Sequence, residues 1–374
     1  MTHLDGHILT PDGFLSGRIE FAASRIDAVR GVPVSEDLVR NSALPIVIPA
    51  FVDLHVHGGG GRDIMDGGGA AVTVVQTHAR FGTTSLLATT MTAPHDDLAA
   101  AFAGLASLAA NPSPGGARVL GVHLEGPYIN AERLGAQPNF ARPLQFSELD
   151  ALNAVVPIRL ITLAPEVAGN LETIPALIAA GYKVNLGHSD ASYEQTCAAL
   201  DAGANGFTHL YNAMSGFHHR QPGMVGAALA HACHAELIPD LLHVHPGAIR
   251  AALRSIAGLY CVTDSTAAAG MPDGEYRLGR QRVTRCMGGV RLADGTLAGS
   301  VLTMDQAFRN LVKVMEMSIA EASLRTSTLA SDFIGVADRG RLVAGCYSDV
   351  VVLNGDLNVT HVFTEGRAVD LAHG

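Results

Sequence analysis

Eight short apolar segments, separated by Ala- and Leu-rich segments, run through the middle of this 374-residue chain. The apolar segments predict strands at residues 45–53, 83–89, 119–124, 159–163, 183–186, 206–209, 236–238 and 259–263. Helices are predicted between them, for example at residues 96–109 and 195–202. Strands that alternate with helices indicate a parallel α/β sheet, and eight of them favour a (β/α)8 TIM-like barrel. An open doubly wound sheet would show the same alternation, so periodicity alone leaves both folds open.

The two ends of the chain have a different pattern. Residues 10–34 alternate short β-like runs with turns, and residues 349–353 and 361–363 read as strands divided by the turn Asn354-Gly355-Asp356. We therefore predict a small β-sandwich domain assembled from both termini, residues 1–45 and 340–374, around a barrel formed by residues 46–339.

Composition excludes several classes of protein. The chain is 48% hydrophobic and 16% charged, which favours a large core over disorder. Its formal net charge is −10 and it has no run of Lys or Arg, which argues against a nucleic-acid partner. The five cysteines form no C-x-x-C pair, and neither a signal segment nor an apolar run of membrane length is present. We expect reduced thiols, a cytoplasmic location and no membrane association.

Side chains that bind metals fall at the carboxyl ends of the predicted strands, where barrel enzymes carry their active sites. Residues i and i+2 of a strand share a face, so both imidazoles of the H-x-H pair at the first tip can reach one cation. The candidate residues at the tips of strands one, three, five, six and eight are His55, His57, Glu125, His188, His209 and Asp264. Imidazole and carboxylate ligands together suit zinc, iron or a similar divalent ion.

These residues predict hydrolysis assisted by a metal. A divalent ion lowers the pKa of water, and Asp264 is expected to take the proton of that water and pass it to a leaving amine. If two ions bind, Glu125 is the residue that would bridge them.

A second group of residues suits an anion. Asn212 and Ala213 follow the sixth strand, Arg220 lies in the polar loop 215–223, and His243 follows the seventh strand. A guanidinium, an imidazole and peptide N–H groups can bind phosphate. A solvated loop accounts for the same pattern equally well.

The chain resembles the N-acetylglucosamine-6-phosphate deacetylase family of the amidohydrolase superfamily. The matching segments occur in family order over nearly the whole chain: residues 49–59 (PAFVDLHVHGG), 123–128 (HLEGPY), 186–189 (LGHS), 208–214 (THLYNAM), 262–270 (VTDSTAAAG) and 297–304 (LAGSVLTM). The segments HLEGP and THLYNAM are typical of this family rather than of the superfamily.

The resemblance implies an amidohydrolase barrel with a β-sandwich, usually a homodimer. It implies hydrolysis of the acetamide of N-acetyl-D-glucosamine 6-phosphate to D-glucosamine 6-phosphate and acetate, in amino-sugar catabolism and recycling. It also implies one or two divalent ions per subunit, with zinc expected first and iron, manganese or cobalt as alternatives.

The resemblance further assigns roles to individual residues. By motif matching, Glu125, His188 and His209 are ligands of the main metal, His55 and His57 match the members that bind a second metal, and Asp264 is the catalytic acid/base. Asn212, Ala213, Arg220 and His243 match contacts to the phosphate and the sugar, with Arg220 reaching across the dimer.

Two positions depart from the family pattern. Gln137 stands where the family usually has a His that contacts the sugar, and it can bind a hydroxyl but cannot carry charge. Leu241 stands where the family usually has a Gly, two residues before His243.

The departures leave the substrate open to alternatives. An enzyme for another N-acetyl amino sugar, such as N-acetylgalactosamine 6-phosphate or an unphosphorylated sugar, is the first alternative. A non-catalytic sugar-phosphate sensor is the second, although such a protein has no use for the proton shuttle of Asp264.

Overall fold

A computed structural model describes residues 2–371 and confirms the parallel barrel. The barrel strands, in chain order, are Phe51–Val56, Thr83–Thr90, Arg118–Glu125, Ile158–Leu163, Lys183–Leu186, Gly206–Phe207, His234–Leu237 and Gly258–Cys261. Seven of them correspond to predicted strands, whereas the first predicted strand, residues 45–53, is divided between the barrel strand Phe51–Val56 and a strand of the terminal sheet, Ile46–Pro49. Strands one to six pair in sequence order as one parallel sheet, and strands seven and eight pair with each other. Nearly all of their residues are buried, as expected for strands covered by helices on one side and by a filled interior on the other.

Backbone contacts between strands six and seven and between strands eight and one close the barrel. Leu210 N–H donates to the carbonyl of Glu236 at 2.9 Å, just beyond the sixth strand. Asp264 N–H donates to the carbonyl of His55 at 2.9 Å, and Val56 forms a parallel bridge with Ser265. The tips of strands one and eight therefore lie side by side.

Helices surround the barrel. Ser192 caps one of them by accepting from Gln195 N–H, while the Gln195 side chain reaches back to the cap. The two helices that the sequence predicted at residues 96–109 and 195–202 are present at His95–Ala110 and Tyr193–Asp201. The remaining helices are Glu36–Arg40, Ala70–Arg80, Phe146–Asn153, Asn170–Ala179, Gly223–His231, Pro246–Ser255, Met304–Lys313, Ile319–Ser323 and Leu329–Phe333, with a 3₁₀ turn at Ile64–Asp66 and a π-helical turn at Leu324–Thr328. Across residues 2–371, no helix has both the length and the apolar character needed to span a bilayer.

Strands from both termini form a separate β domain, as predicted, and all seven belong to a single hydrogen-bonded sheet. Its packing as a sandwich stays a prediction. Its own core contains Ile8, Ile19, Phe21 and Phe363. Its strands are Thr2–Thr10, Gly13–Ala22, Arg25–Val34, Ile46–Pro49, Val350–Leu353, Val359–Thr364 and Arg367–Ala368.

The boundary between the two domains is set by the strand Ile46–Pro49, which pairs within the terminal sheet. We propose that the barrel begins at Phe51, five residues later than the predicted start at residue 46. Residue 1 and residues 372–374 of the predicted terminal domain lie outside the described part of the chain.

Two small β elements border the mouth of the barrel, and the sequence pattern did not predict them. A short hairpin, Gly58–Gly59 with Arg62–Asp63, follows the first barrel strand. A three-stranded sheet, Gly274–Leu278, Gln281–Cys286 and Gly289–Arg291, follows the eighth. We call this second element the mouth sheet. Its Gly279 N–H donates to Asp63 Oδ2 at 2.9 Å, and the Gln281 side chain donates to the carbonyl of Ala136 at 2.5 Å.

Candidate metal centre

The six residues predicted at the strand tips come together at the carboxyl end of the barrel. Each is at most 8% exposed. They are His55, His57, Glu125, His188, His209 and Asp264. Their convergence follows from the parallel barrel, which brings the ends of all eight strands to one face.

Glu125, His188 and His209 form one compact set of donor atoms. Oε1 of Glu125 lies 3.1 Å from His188 Nε2 and 3.0 Å from His209 Nε2. The two Nε2 atoms lie 3.0 Å from each other. All three atoms are within reach of a single small cation.

His55 and His57 form a second set with the same glutamate. Their Nε2 atoms lie 3.1 Å apart, and Oε2 of Glu125 lies 3.1 Å from His57 Nε2. Oδ1 of Asp264 lies 3.4 Å from His55 Nε2 and 3.3 Å from His57 Nε2. Oε1 of Glu125 also lies 3.5 Å from His55 Nε2, so both of its oxygens face imidazole nitrogens. The carboxylate is therefore within reach of both donor sets.

The donor set fits a divalent cation. Two imidazole nitrogens that face each other at 3.0–3.1 Å can share one proton at most, whereas a cation between them accepts a lone pair from each. Burial alone would raise the pKa of Glu125, but the neighbouring imidazoles, His55 foremost, hold that pKa well below its usual range. The centre therefore presents ionised carboxylate and imidazole nitrogen together, the combination that suits zinc and similar transition metals.

Three of the tip residues have left-handed backbone conformations. The φ angles are 48° at His188, 31° at His209 and 49° at Asp264. Such a conformation costs roughly 1–3 kcal/mol for a residue with a Cβ and persists where surrounding contacts enforce it. At these tips it turns the side chains inward, toward the centre of the barrel mouth.

A further group of donors lies deeper in the barrel, where His55, His123 and Glu236 are all fully buried. This group is already satisfied by hydrogen bonds. His123 Nδ1–H donates to the carbonyl of Leu54 at 3.1 Å, its Nε2 lies 2.7 Å from Thr162 Oγ1, and His55 Nδ1 lies 2.9 Å from Glu236 Oε2. The group supports the centre above it and is not a separate ion site.

A cavity of about 380 Å³ opens above the centre and has room for a sugar phosphate. Loops of the barrel and the mouth sheet, through Leu278, form its walls. The predicted residues that line it are His57, Glu125, Gln137, His188, His209, Asn212, Ala213, His243 and Asp264. Asn212 and Ala213 lie beside the metal-binding tips, with Ala213 in a left-handed conformation.

Gln137 lies on the cavity wall, but both ends of its amide are occupied within the protein. Its Nε2 donates to Glu125 Oε2 at 2.5 Å, and its Oε1 accepts from Thr92 N–H at 2.7 Å. The side chain therefore holds the Glu125 carboxylate, a contact that the sequence did not predict. A contact with the sugar remains a prediction.

His243 points into the cavity with its ring fixed by Asp240. Its Nδ1 lies 2.6 Å from Asp240 Oδ2, so Nε2 is the ring atom left for a ligand. Burial lowers the pKa of His243, but the hydrogen bond with Asp240 and the negative charges of Asp240 and Asp264 together outweigh burial and leave the pKa above its ordinary value. The ring is therefore biased toward the cation, which suits a phosphate group.

Leu241 shows why its position usually takes a glycine. Its φ is 66°, the left-handed region that a glycine enters without strain. The leucine accepts the strained backbone, and His243 still reaches the cavity.

Arg220 lies apart from the other predicted substrate residues. Its side chain is exposed, donates to His219 Nε2 at 2.9 Å, and borders a different surface cleft. Within one subunit it does not contribute to the cavity above the metal centre.

Two residues that orient the tip histidines escaped the sequence reasoning. Glu236 contacts His55, and the carbonyl of Arg133 accepts from His188 Nδ1–H at 2.8 Å. Glu236 did carry a signal, because an acidic residue inside an otherwise apolar barrel strand needs a partner. The carbonyl of Arg133 carried none.

Comparisons with known proteins agree with this geometry. The model of the Amidohydrolase family matches residues 46–369. N-acetylgalactosamine-6-phosphate deacetylase of Escherichia coli O157:H7 is 40% identical over 98% of this chain and 99% of its own length. N-acetylglucosamine-6-phosphate deacetylase of Vibrio furnissii is 39% identical over 86% of this chain and 82% of its own. The solved structure of a mutant N-acetyl-D-glucosamine-6-phosphate deacetylase from Mycobacterium smegmatis, in complex with N-acetyl-D-glucosamine-6-phosphate, is similar with a TM-score of 0.89 at 33% identity, covering 99% of this chain and 100% of that one.

Proposed function

The chain belongs to the amidohydrolase family, and on that premise we propose that it hydrolyses the acetamide of N-acetyl-D-glucosamine 6-phosphate to D-glucosamine 6-phosphate and acetate. The observation that carries the proposal is one cavity that holds the metal-binding tips, Asp264 and the polarised ring of His243. Relatives at about 39% identity that bear this enzyme's name support it. The reaction would serve amino-sugar catabolism and recycling.

The ligands for the metal follow from the two donor sets. Glu125, His188 and His209 would hold one ion, and His55 and His57 would hold a second through the shared Glu125 carboxylate. We expect zinc, with iron, manganese or cobalt suited to the same donors. A divalent ion bound there supplies positive charge that polarises the acetamide carbonyl and makes water more acidic.

Asp264 is placed to move the proton. Burial raises its pKa, but His55 and His57 outweigh burial and leave the pKa below its ordinary value, so the carboxylate is ionised before reaction. Asp264 accepts a proton as water attacks the acetamide carbon, and then gives that proton to the nitrogen as the C–N bond breaks. Acetate and the free amine leave.

Binding of the 6-phosphate is assigned to the residues that line the far part of the cavity and to one from a neighbouring subunit. His243, Asn212 and Ala213 line the cavity of their own subunit. Arg220 lies outside that cavity, so in the homodimer that the family resemblance implies it would act on the partner's substrate. A guanidinium makes paired hydrogen bonds with phosphate, so its contribution would be specific for the phosphorylated sugar.

N-acetylgalactosamine 6-phosphate is the second candidate substrate. The Escherichia coli O157:H7 enzyme named for it matches this chain at 40% identity over nearly the full length of both. Gln137, a neutral residue on the cavity wall, also departs from the usual pattern.

The proposal is tested by measuring acetate release from N-acetylglucosamine and N-acetylgalactosamine, each with and without a 6-phosphate, on protein of known metal content. Higher kcat/KM for the glucosamine 6-phosphate supports the leading proposal, and higher kcat/KM for the galactosamine epimer supports the second. Equal kcat/KM with and without phosphate would contradict the phosphate assignment. No acetate from any of the four sugars would refute both candidates.

The cysteines support a cytoplasmic location for the enzyme. All five are free thiols, and two of them, Cys261 and Cys346, are buried. Free thiols are typical of a reducing compartment.

A further inference from the structure

Glu236 is a fully buried carboxylate that lies beneath both halves of the metal centre. It belongs to the seventh barrel strand and none of its surface is exposed. Oε2 accepts from His55 Nδ1–H at 2.9 Å and from the peptide N–H of His209 at 3.2 Å. Oε1 lies 3.4 Å from the Tyr260 hydroxyl and 3.4 Å from Asn185 Nδ2.

The charge of Glu236 has no ordinary counterpart. Among residues 2–371, its only ion-pair contacts are histidines, at 2.9 Å to His55 and 4.0 Å to His123, and neither Lys nor Arg pairs with it. His123 Nδ1–H is directed at the carbonyl of Leu54, so His55 is the histidine that is hydrogen-bonded to Glu236. A buried carboxylate without such compensation is costly. A cation at His55 Nε2 would supply the compensation through the imidazole ring.

The contacts of Glu236 also fix the geometry of two ligands. A hydrogen bond from Nδ1–H leaves the lone pair of His55 on Nε2, the atom that faces His57 and Glu125. His57 Nδ1 and His209 Nδ1 are buried without a hydrogen-bond partner, so within the described chain His55 is the tip histidine held by a carboxylate. The bond to His209 N–H holds the strained turn at φ 31° that aims its side chain inward.

We propose that Glu236 is a positioning residue. It orients the ring of His55 so that an ion can bind at His55 and His57, and through the peptide group of His209 it also contacts the ion position at His188 and His209. The proposal rests on the metal centre proposed above. The contact with His55 is directly on the ring, whereas the contact with His209 is on its peptide group. Loss of Glu236 therefore lowers the affinity for the ion at His55 and His57 more than the affinity for the ion at His188 and His209.

The test compares Glu236→Ala with Glu236→Gln. Each protein is stripped with a chelator and titrated with Zn²⁺ and Co²⁺, measuring ions per subunit, affinity by chelator competition and the Co²⁺ absorption spectrum. Glu236→Ala should lower the affinity of one ion by about 10–100-fold, the usual effect of removing a residue that orients a metal ligand. Glu236→Gln keeps an oxygen that can accept both hydrogen bonds, so it should recover part of that loss. It also serves as the test variant if Glu236→Ala does not fold.

A His57→Ala background identifies which ion is affected. That variant removes a ligand from the position at His55 and His57, so only the ion at His188 and His209 remains to be measured. Adding Glu236→Ala to it should lower the affinity for this ion far less than Glu236→Ala alone lowers the affinity for the ion at His55 and His57. Glu148→Ala is the matched control, because Glu148 is a buried carboxylate that pairs with Arg142 away from the centre. Glu148→Ala should leave the affinity for both ions unchanged.

Three results would overturn the proposal: native protein that takes up a single ion, Glu236→Ala with native affinity for both ions, or equal weakening of both ions by Glu236→Ala. Native protein that binds two ions but releases no acetate from any sugar would instead count against the proposed function, and the metal titrations would still decide the role of Glu236.

Discussion

Replacing Asp264 with Asn should abolish most of the catalysis while leaving the fold intact. Asn has nearly the same size and enters the left-handed region more readily than most residues, so the backbone at φ 49° can be kept. The change replaces the carboxylate that lies 3.3–3.4 Å from the Nε2 atoms of His55 and His57 with a neutral amide, which does not take up a proton near neutral pH. It therefore removes the group that accepts and returns the proton without creating a cavity.

The size of the loss follows from that role. Acid–base catalysis by one side chain contributes about 10²–10⁴-fold, which corresponds to about 2.7–5.4 kcal/mol of activation free energy. We expect kcat to fall by that factor and KM to change little, because Asp264 lies at the reacting end of the cavity and the phosphate residues are untouched. The change also removes a negative charge from the centre, so the assay is run at saturating metal with the metal content measured.

Asp63→Asn is the matched control. Asp63 is another buried aspartate at the barrel mouth, but it accepts from backbone N–H groups of Met65 and Gly279 and does not line the cavity. Its kcat should stay near the native value. Native acetate release by Asp264→Asn protein that carries its full metal content would refute the proposed proton transfer.

Three further outcomes are expected. Arg220→Ala should raise KM for the phosphorylated sugar by roughly 10–100-fold, as for the loss of a charged hydrogen bond, and leave KM for the plain sugar unchanged. If Arg220 acts across the dimer, mixed dimers of Arg220→Ala and inactive Asp264→Asn subunits should show low KM at one site, and no restoration would contradict that role. The pKa of His243 is raised, so the ring is fully cationic at low pH and loses its charge as pH rises through that pKa. KM for the phosphorylated sugar should therefore rise with pH, and Asp240→Asn should move this rise to lower pH. Identical KM profiles for the two proteins would contradict the role of His243. Gln137→Ala should weaken metal binding by roughly tenfold or more, because it removes a hydrogen bond to the Glu125 carboxylate and leaves the buried Thr92 N–H without its acceptor. Native affinity in chelator competition would show that the contact does not position Glu125.

The substrate residues show how far local pattern extends. The sequence placed Gln137 near the sugar, and the residue does line the cavity, yet its amide is turned onto Glu125 and Thr92. Leu241 occupies a position where the family usually has a glycine, and its left-handed φ is the conformation that favours glycine. Which way a side chain on a loop turns depends on neighbours that are distant in sequence, and no local pattern contains them.

The sequence by itself determined the alternation of strands and helices and the identity of the residues at the strand tips. Strand periodicity is local, and a parallel barrel brings all carboxyl ends to one face, so H-x-H, Glu, His, His and Asp had to meet. Only the tertiary structure decided how they meet. Closure between the first and eighth strands set Asp264 beside His55 and His57, and curvature of the sheet brought Glu236 under His55. These contacts span 181 to 209 positions of the chain, and their distances depend on how the barrel closes, which hydrophobic periodicity does not encode.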